Sequence, residues 1–433
     1  MTVLGQGRPG LSLLVHRPGH EPFAWNTGMA SLEHQVPIGP DTNFNVGSVA
    51  KQITAQLVLD ASHECLLDLD QPADDLDPDL QIKDINVGEL ITHGSGLRDV
   101  ESLLSLAGFR PLDHYTAPDL LALAYRQRER VVAADDFLYA NTNYLLLAKI
   151  LETVRQEPLP DLARRTIFEP LNMHNTRFCA DPQQIVPNAA SAYRQIGSNW
   201  SHARTPVALP GPGSLWTTAQ DLDLWLQHLH GRWRTGGQRL LYQELLNYRA
   251  SDHAPYLYGP GLYGVEDSDQ PRVFHFGHEQ GFSAATHLTS NGSRVVCLAN
   301  GSDVSADRVA TAMLENLDHP DLLPIALKTI AQQTRRQPPP RSVPASSSSE
   351  LGPFSCPDVP GVVRLTRSNR GLELWRRGTG DQLTQISAEQ FSGPGYTLTL
   401  EDPQAPDRGF RLDLERAPCL AYQLRAGASP STV

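Results

Sequence analysis

The chain of 433 residues carries 36 lysines and arginines against 48 aspartates and glutamates, a formal net charge of −12 at pH 7. Nucleic acid and anionic membrane surfaces repel such a protein on average, so neither is expected as a partner. With 40% hydrophobic and 19% charged residues, the composition is that of a folded globular protein, and the length predicts two or three domains.

The N-terminal residues lack the basic segment and the long apolar run of a signal peptide, and no stretch approaches the roughly 20 apolar residues of a membrane span. The five cysteines are widely spaced and form no Cys-x-x-Cys pair. Neither a disulfide framework nor a cysteine-ligated zinc site is therefore expected. Together these features predict a cytoplasmic protein.

The order of the predicted elements indicates one α+β domain over residues 1–334. Residues 11–31 predict two strands around the turn "RPGHEP", and helical patterns dominate from residue 48 to about residue 230. Strands return in "FHFGHEQGFSAATHLTS" and "SRVVCLAN", followed by a helix with Ser305 at its N-cap. Strands, a long helical insertion, strands again and a helix predict an antiparallel sheet flanked by helices.

The C-terminal part has a different composition. Residues 335–350, "RRQPPPRSVPASSSSE", are rich in proline and then serine, which is typical of a linker. Residues 351–433 contain short alternating stretches such as "GVVRLTRS" and "YTLTLED", separated by glycine and proline. They predict a small all-β domain resembling a barrel.

The stretch "SVAKQITAQLVLDAS" places Ser48 three residues before Lys51, one of only four lysines in the chain. Residues three apart share a helix face, so the hydroxyl and the amine are expected to be neighbours. A lysine in an apolar setting loses proton affinity and can accept the proton of a serine nucleophile. The alternative is an N-capping serine and a solvated lysine, with Gln52 and Thr54 on a solvated face.

Two further stretches supply candidate partners. In "YANTNYLLLAKILE", Tyr139 could act as general base if a nearby lysine ammonium lowers its pKa, and Asn141 could hold a substrate carbonyl and Lys51. The alternative is a buried tyrosine beside a capping asparagine. In "FHFGHEQGF", His275 could hydrogen-bond the site and tune Tyr139, while Gly277 indicates close approach of a ligand or of another backbone.

The motifs "SVAK", "YAN" and "HFG", in this order, resemble the three motifs of the serine β-lactamase and penicillin-binding-protein superfamily. Tyr-x-Asn and His-x-Gly resemble its class C β-lactamase-like branch of esterases, D-aminopeptidases and transacylases. "ITHGSGL" and "GPGSLWTTAQDLDLWL" match further family segments. The resemblance covers about residues 10–320, and the tail resembles the small barrel that follows the catalytic domain in some members.

The resemblance implies a β-lactamase-like fold with a helical subdomain over about residues 68–210 and an active site in the cleft beside it. It implies that Ser48 is the nucleophile and that Lys51 and Tyr139 share the acid and base work. It implies further roles for the remaining site residues: Asn141 positions the substrate, His275 replaces the third-motif lysine, and the N–H groups of Ser48 and His278 form the oxyanion hole. No cofactor or metal is expected.

Two departures from the family pattern affect these expectations. Phe276 stands where a threonine hydroxyl often helps to bind a substrate carboxylate, which disfavours penicillins and favours an apolar or neutral acyl group. The first strand begins near Leu11, so the family's N-terminal helix is expected to be short or missing. Glu279 and Arg98 are further candidates for the cleft, although no motif assigns them a role.

The expected chemistry is two-step acyl transfer from a small ester or amide through an acyl-Ser48 intermediate. With water as acceptor the enzyme is an esterase or amidase; with an amine it is a transacylase, possible in natural-product biosynthesis. The alternatives are a D-aminopeptidase-type peptidase, a β-lactamase, or a non-catalytic binding protein that uses the C-terminal domain for interaction. The oligomeric state stays open.

Overall fold

The structure is a computed structural model that describes residues 7–108, 113–133, 136–234, 249–251, 256–265, 271–333, 348–368, 371–377 and 379–425. The helices are α1 (Lys51–His63), α2 (Ala73–Leu76), α3 (Val87–Ile91), α4 (Val100–Ala107), α5 (Ala117–Ala124), α6 (Asn141–Arg155), α7 (Leu159–Ala163), α8 (Ala219–Arg234), α9 (Ala306–Leu314) and α10 (Leu323–Gln333). A 3-10 turn (Gly47–Ala50) precedes α1, and a π-helical turn (Arg164–Phe168) follows α7.

The strands up to residue 299 are β1 (Leu11–His16), β2 (Phe23–Thr27), β3 (Met29–Ser31), β4 (Val36–Pro37), β5 (Phe44–Asn45), β6 (Arg177–Phe178), β7 (Tyr193–Ile196), β8 (Asn199–His202), β9 (Leu215–Thr217), β10 (Arg249–Ala250), β11 (Leu257–Gly259), β12 (Leu262–Val265), β13 (Arg272–Glu279), β14 (Phe282–Thr289) and β15 (Arg294–Ala299). The later strands are β16 (Ser348–Cys356), β17 (Val359–Ser368), β18 (Gly371–Arg376), β19 (Thr379–Gln382), β20 (Thr384–Gln385), β21 (Gln390–Gly393), β22 (Tyr396–Leu400), β23 (Gly409–Leu414) and β24 (Ala417–Leu424).

The main sheet has eight strands in the order β10-β11-β12-β13-β14-β15-β1-β2. All neighbours in it pair antiparallel, and Leu11 of β1 lies opposite Ala299 of β15. The N-terminal hairpin thus extends a sheet whose other strands come from the second half of the domain. The α+β arrangement expected from the order of elements is confirmed.

Helices cover both faces of this sheet, which explains why β14 and β15 are buried along their whole length. Because side chains alternate along a strand, Val295 and Cys297 pack into one cluster with Val309 and Met313 of α9. Val296 belongs to the other cluster, with α1 and α8. Burying one such aliphatic side chain contributes roughly 1.5–3 kcal/mol, so these contacts hold β15 in the sheet, two strands away from β13, which carries the third motif.

The helical region differs in extent from the expectation. Helices α2–α7 occupy residues 73–163, whereas residues 177–217 contain the short strands β6–β9. These strands are two to four residues long, too short to produce a recognisable alternation in the sequence. Residues 7–10, directly before β1, contain no helix. Ser305 does precede α9, but its hydroxyl donates to Asp307 instead of capping the helix.

The C-terminal domain is a nine-stranded antiparallel sheet in the order β19-β18-β17-β16-β24-β23-β22-β21-β20. It curls until β18 and β20 touch around buried side chains that include Phe354, Leu374, Phe410 and Tyr422. The expected barrel-like domain is confirmed. Its first strand begins at Ser348, inside the expected linker, and residues 335–347 of that linker lie outside the described residues.

Within the described ranges, no helix combines the length and the apolar character needed to cross a bilayer. In the same part of the chain, no three histidine, cysteine, aspartate or glutamate side chains gather in the way a metal ion requires.

Candidate active site

Ser48 lies in the 3-10 turn that leads into α1, with its side chain partly accessible from the cleft. The preceding Gly47 has φ +49°, and a Cβ atom there would lie 2.7 Å from the carbonyl oxygen of His278. Only glycine adopts this conformation and permits this approach at little cost. The serine is therefore presented on a tight turn packed against β13. It is not the N-cap that the alternative interpretation required.

Lys51 is the first residue of α1 and is completely buried. Its Nζ donates to Ser48 Oγ at 2.9 Å, to Asn141 Oδ1 at 2.7 Å and to the carbonyl oxygen of Pro212 at 2.9 Å. Burial, assisted by the Arg416 guanidinium, lowers the pKa of Lys51 to about 7. A lysine with this pKa is partly neutral at physiological pH, and its neutral amine can accept the serine proton.

The possible solvated face of α1 is absent. Gln52 is 3% exposed and Thr54 is fully buried. Gln52 donates to Thr286 of β14 and accepts from the indole of Trp225 in α8, while Thr54 donates to a backbone carbonyl. Because these polar groups are satisfied inside the protein, α1 is a central helix that fixes the position of Lys51.

Tyr139 precedes α6 and lines the cleft with Ser48, and its ring centroid lies 4.9 Å from Lys51 Nζ. The prediction of a lowered pKa is wrong, since burial raises the pKa of Tyr139 above its usual range. A lysine that burial itself pushes toward neutrality cannot offset the desolvation of a phenolate. Tyr139 is consequently a neutral hydroxyl, suited to donating a proton.

Asn141 begins α6 and uses both ends of its amide. Its Oδ1 accepts from Lys51, and its Nδ2 donates to Glu101. Its backbone N–H donates to Asp99 Oδ1 at 2.7 Å. The structure thus places Asn141 beside the lysine and couples it to a carboxyl group of α4 that no sequence motif indicated.

His275 is buried, and both ring nitrogens are engaged near the site. Nδ1 lies 2.6 Å from the carbonyl oxygen of Phe276, and Nε2 lies 3.2 Å from the hydroxyl of Tyr258. Burial lowers the pKa of His275 to about 3, so the imidazole is neutral. Its centroid is 6.4 Å from that of Tyr139. Both ring nitrogens of His275 thus have partners other than Tyr139. The two rings are neighbours, but the hydrogen bond through which His275 was expected to tune Tyr139 is not formed.

The strand around His275 explains the remaining motif residues. A Cβ atom on Gly277 would collide with the carbonyl oxygen of Val46, just before the serine turn. The backbone of His278 lies against Gly47, where a Cβ atom would likewise be too close. The ring of Phe276 lines the cleft and packs 5.0 Å from Phe274 between ring centroids. Glycine at 277 therefore permits the contact between β13 and the nucleophile turn.

The cleft is a cavity of about 300 Å³ that reaches Ser48, Tyr139 and Phe276. Three carboxyl groups line it, from Glu101, Glu279 and Glu415, together with the guanidinium of Arg416. Burial raises the pKa of both Glu101 and Glu279. Of the two cleft candidates without a motif, Glu279 does line the cavity, whereas the buried Arg98 points toward the C-terminal domain.

Arg416 and Glu415 come from the turn between β23 and β24 of the C-terminal domain. The guanidinium carbon of Arg416 lies 5.7 Å from the ring centroid of Tyr139, and Asp99 is its strongest charge partner. No motif in the sequence indicates either residue. Nothing local distinguishes Arg416 from the other arginines, because its position depends on how two domains pack.

Comparison with known proteins shows the family of the chain. The sequence pattern of the beta-lactamase family matches residues 2–320. A D-aminopeptidase from Gluconobacter oxydans is 24% identical over 316 residues, which are 71% of this chain and 58% of that protein. This chain therefore spans less than two thirds of that relative.

Among solved structures, the octameric penicillin-binding protein homologue from Pyrococcus abyssi aligns over 96% of both chains with a TM-score of 0.62 and 18% identity. The D-amino acid amidase from Ochrobactrum anthropi aligns over 75% of this chain and 94% of its own with a TM-score of 0.60 and 21% identity. At these identities the structures show a shared fold.

The chain thus has the fold of these penicillin-binding-protein-like and amidase structures. It belongs to the beta-lactamase family.

Proposed function

We propose that the protein is an amidase or aminopeptidase that forms an acyl-Ser48 intermediate from a small amide or ester carrying a free amine and passes the acyl group to water. The observation that carries this proposal is the 2.9 Å contact between Ser48 Oγ and a completely buried Lys51 Nζ. A serine hydroxyl is a weak nucleophile until an adjacent base accepts its proton.

In the acylation step, neutral Lys51 takes the proton from Ser48 as Oγ attacks the substrate carbonyl. The developing oxyanion is stabilised by the N–H groups of Ser48 and His278, a proposal supported by the contact between Gly47 and the backbone of His278. Tyr139 gives its proton to the leaving nitrogen and recovers one from Lys51. The products are the acyl-Ser48 ester and the free amine or ammonia.

In the deacylation step the same groups act in reverse. Lys51, with Tyr139, removes a proton from the attacking water, the ester bond to Ser48 breaks, and the proton returns to Oγ. Asn141 lines the cleft and accepts from Lys51, and from there it positions the substrate amide. His275, neutral and buried, holds β13 and contributes no proton.

The charges of the cleft support a substrate with an ammonium group. Glu101, Glu279 and Glu415 face a single guanidinium in the lining, and burial leaves Glu101 short of countercharge, as its raised pKa indicates. An ammonium placed beside these carboxyls would supply that charge. The D-aminopeptidase and the D-amino acid amidase among the similar proteins favour D-amino acid amides and short peptides as the class to test.

Phe276 supports the neutral acyl group expected from the sequence. The aromatic wall that it forms with Tyr263 favours an apolar side chain over a carboxylate at that position. D-phenylalanine amide combines an ammonium group with an aromatic side chain and is therefore the first amide to test.

The test is intact-protein mass spectrometry after mixing with p-nitrophenyl acetate, with Ser48→Ala as control. An acetyl adduct is expected on the wild type alone, with release in water at a rate that added amines leave unchanged. An adduct that persists in water and clears only with an amine would overturn hydrolysis in favour of amide-forming transfer. Absence of any adduct would overturn the serine mechanism and favour a non-catalytic binding protein.

A further inference from the structure

The segment from His93 to Asp99, which includes most of the motif "ITHGSGL", lies along the turn that carries Tyr139 and Asn141. His93 Nδ1 lies 2.9 Å from Asn143 Nδ2 and 3.3 Å from the backbone nitrogen of Ala140. Ser95 donates to Asn143 Oδ1 at 2.5 Å. The ring of His93 also packs on that of Tyr139, with centroids 4.3 Å apart. This segment therefore shapes the catalytic turn.

Arg98 connects the catalytic turn to the C-terminal domain. Its backbone carbonyl accepts from Thr142 Oγ1 at 2.6 Å, one residue after Asn141. Its guanidinium, 2% exposed, donates to Asp358 Oδ2 at 2.7 Å and to the carbonyl oxygens of Pro418 and Cys419 at 2.8 and 3.0 Å. A charged group this buried requires such partners.

Asp99, the next residue, also contacts both the catalytic turn and the C-terminal domain. Its carboxylate accepts from the backbone N–H of Asn141 at 2.7 Å, and its own N–H donates to the carbonyl oxygen of Arg416 at 2.8 Å. The dipeptide Arg98–Asp99 thus holds the catalytic turn on one side and the hairpin of residues 415–419 on the other. The catalytic turn and this hairpin are far apart in the sequence, so Arg98 and Asp99 link two segments that the chain itself does not hold together.

We propose that Arg98 is a positioning residue through which the C-terminal domain sets the geometry of the catalytic turn and places Arg416 over Tyr139. The hairpin stays in the cleft because three groups of the C-terminal domain bind one guanidinium. Arg416 in turn contributes to keeping Lys51 neutral. This inference rests on the proposed roles of Ser48 and Lys51, and the experiment below separates the two.

The test compares Arg98→Lys and Asp358→Asn with Arg126→Ala. Lysine keeps the charge but loses the planar fork of donors, and asparagine removes the ion pair while it retains an acceptor. Arg126 donates to the carbonyl oxygen of Pro357 at 2.6 Å, so it crosses the same domain boundary without contacting the hairpin or the catalytic turn. It is the matched control for a contact that only holds the domains together.

For Arg98→Lys and Asp358→Asn, kcat/KM for D-phenylalanine p-nitroanilide is expected to fall at least about tenfold, because displacements near 1 Å reduce rates to this extent or more. The acidic limb of the pH profile is expected to move to higher pH, since Lys51 loses the nearby guanidinium. Arg126→Ala leaves both unchanged. If Arg98 only stabilises the fold, these two variants lose activity in proportion to the fraction of unfolded protein, and the acidic limb of the pH profile stays where it is. That result would overturn the inference.

Hydrogen exchange gives a readout that does not depend on catalysis. In Arg98→Lys, backbone amides of residues 139–143 and 414–419 are expected to lose protection together, whereas Arg126→Ala changes neither. If Arg98→Lys loses protection in both segments but p-nitrophenyl acetate does not acylate the wild type, the positioning role stands and the proposed function is overturned. Normal acylation with unchanged exchange and rates in Arg98→Lys would overturn the positioning role alone.

Discussion

Replacing Lys51 by methionine is expected to change the pH dependence of stability as well as abolish acylation. Folding lowers the pKa of Lys51 from 10.5 to about 7, so the unfolded chain binds more protons than the folded chain between these values. The wild type therefore gains stability as pH rises from 7 to 10.5, and below pH 7 it carries the full cost of the buried charge.

The size of the effect follows from the displacement of the pKa. Each unit corresponds to about 1.4 kcal/mol, which gives a cost of about 5 kcal/mol below pH 7 that vanishes near pH 10.5. The methionine variant lacks this cost at every pH, although Asn141 Oδ1 and the Pro212 carbonyl lose a donor at about 1–3 kcal/mol each. That second loss does not depend on pH.

The measurement is equilibrium urea unfolding of wild type and Lys51→Met at pH 7, 8, 9 and 10. The free energy of unfolding of the variant relative to wild type should decrease by about 1.4 kcal/mol per pH unit. Lys83→Met is the control, since that side chain is 58% exposed, and its difference from wild type should stay flat. A flat difference for Lys51→Met as well would refute the reasoning that burial makes this lysine a base.

Three further predictions concern activity. Hydrolysis of D-phenylalanine p-nitroanilide should rise with pH through about 7 as Lys51 loses its proton, and a kcat/KM that is constant from pH 6 to 8 would contradict this assignment. Gly277→Ala should lower kcat/KM about a hundredfold, because its Cβ cannot coexist with the Val46 carbonyl; Gly39→Ala, with no atom within 4 Å of the new Cβ, should match wild type. Glu101→Gln should raise KM for D-phenylalanine amide about tenfold, the loss of one charge-assisted contact, yet leave 3-phenylpropionamide, which lacks the amine, within about twofold; equal changes for both amides would argue against ammonium recognition.

The contact between Ser48 and Lys51 was predictable from sequence because residues three apart on a helix are neighbours whatever the rest of the fold does. The strands of the main sheet were predictable for a similar reason, since β13, β14 and β15 are long enough to show their pattern. The pairing of β1 with β15 joins residues at opposite ends of the domain. No local pattern specifies that pairing.

The pKa of Tyr139 shows where local reasoning fails. The sequence indicated a nearby ammonium, which lowers the pKa of Tyr139. Burial among aromatic rings, which raises that pKa, depends on three separate parts of the chain, which supply His93, Tyr258 and His275. The presence of Glu101, Glu415 and Arg416 in the cleft could not be predicted either, because it depends on tertiary packing. They meet only after α4 and the C-terminal hairpin pack against the cleft.

The order of these pieces along the chain bears on synthesis. The nucleophile at residue 48 leaves the ribosome early, whereas Arg416 emerges about 100 residues after the end of the family segment at residue 320. At roughly 5–20 residues per second, the emerging domain spends about 5–20 s with its cleft unfinished. Nascent chains therefore carry an immature cleft, and full activity belongs to chains whose last strands have been translated and docked.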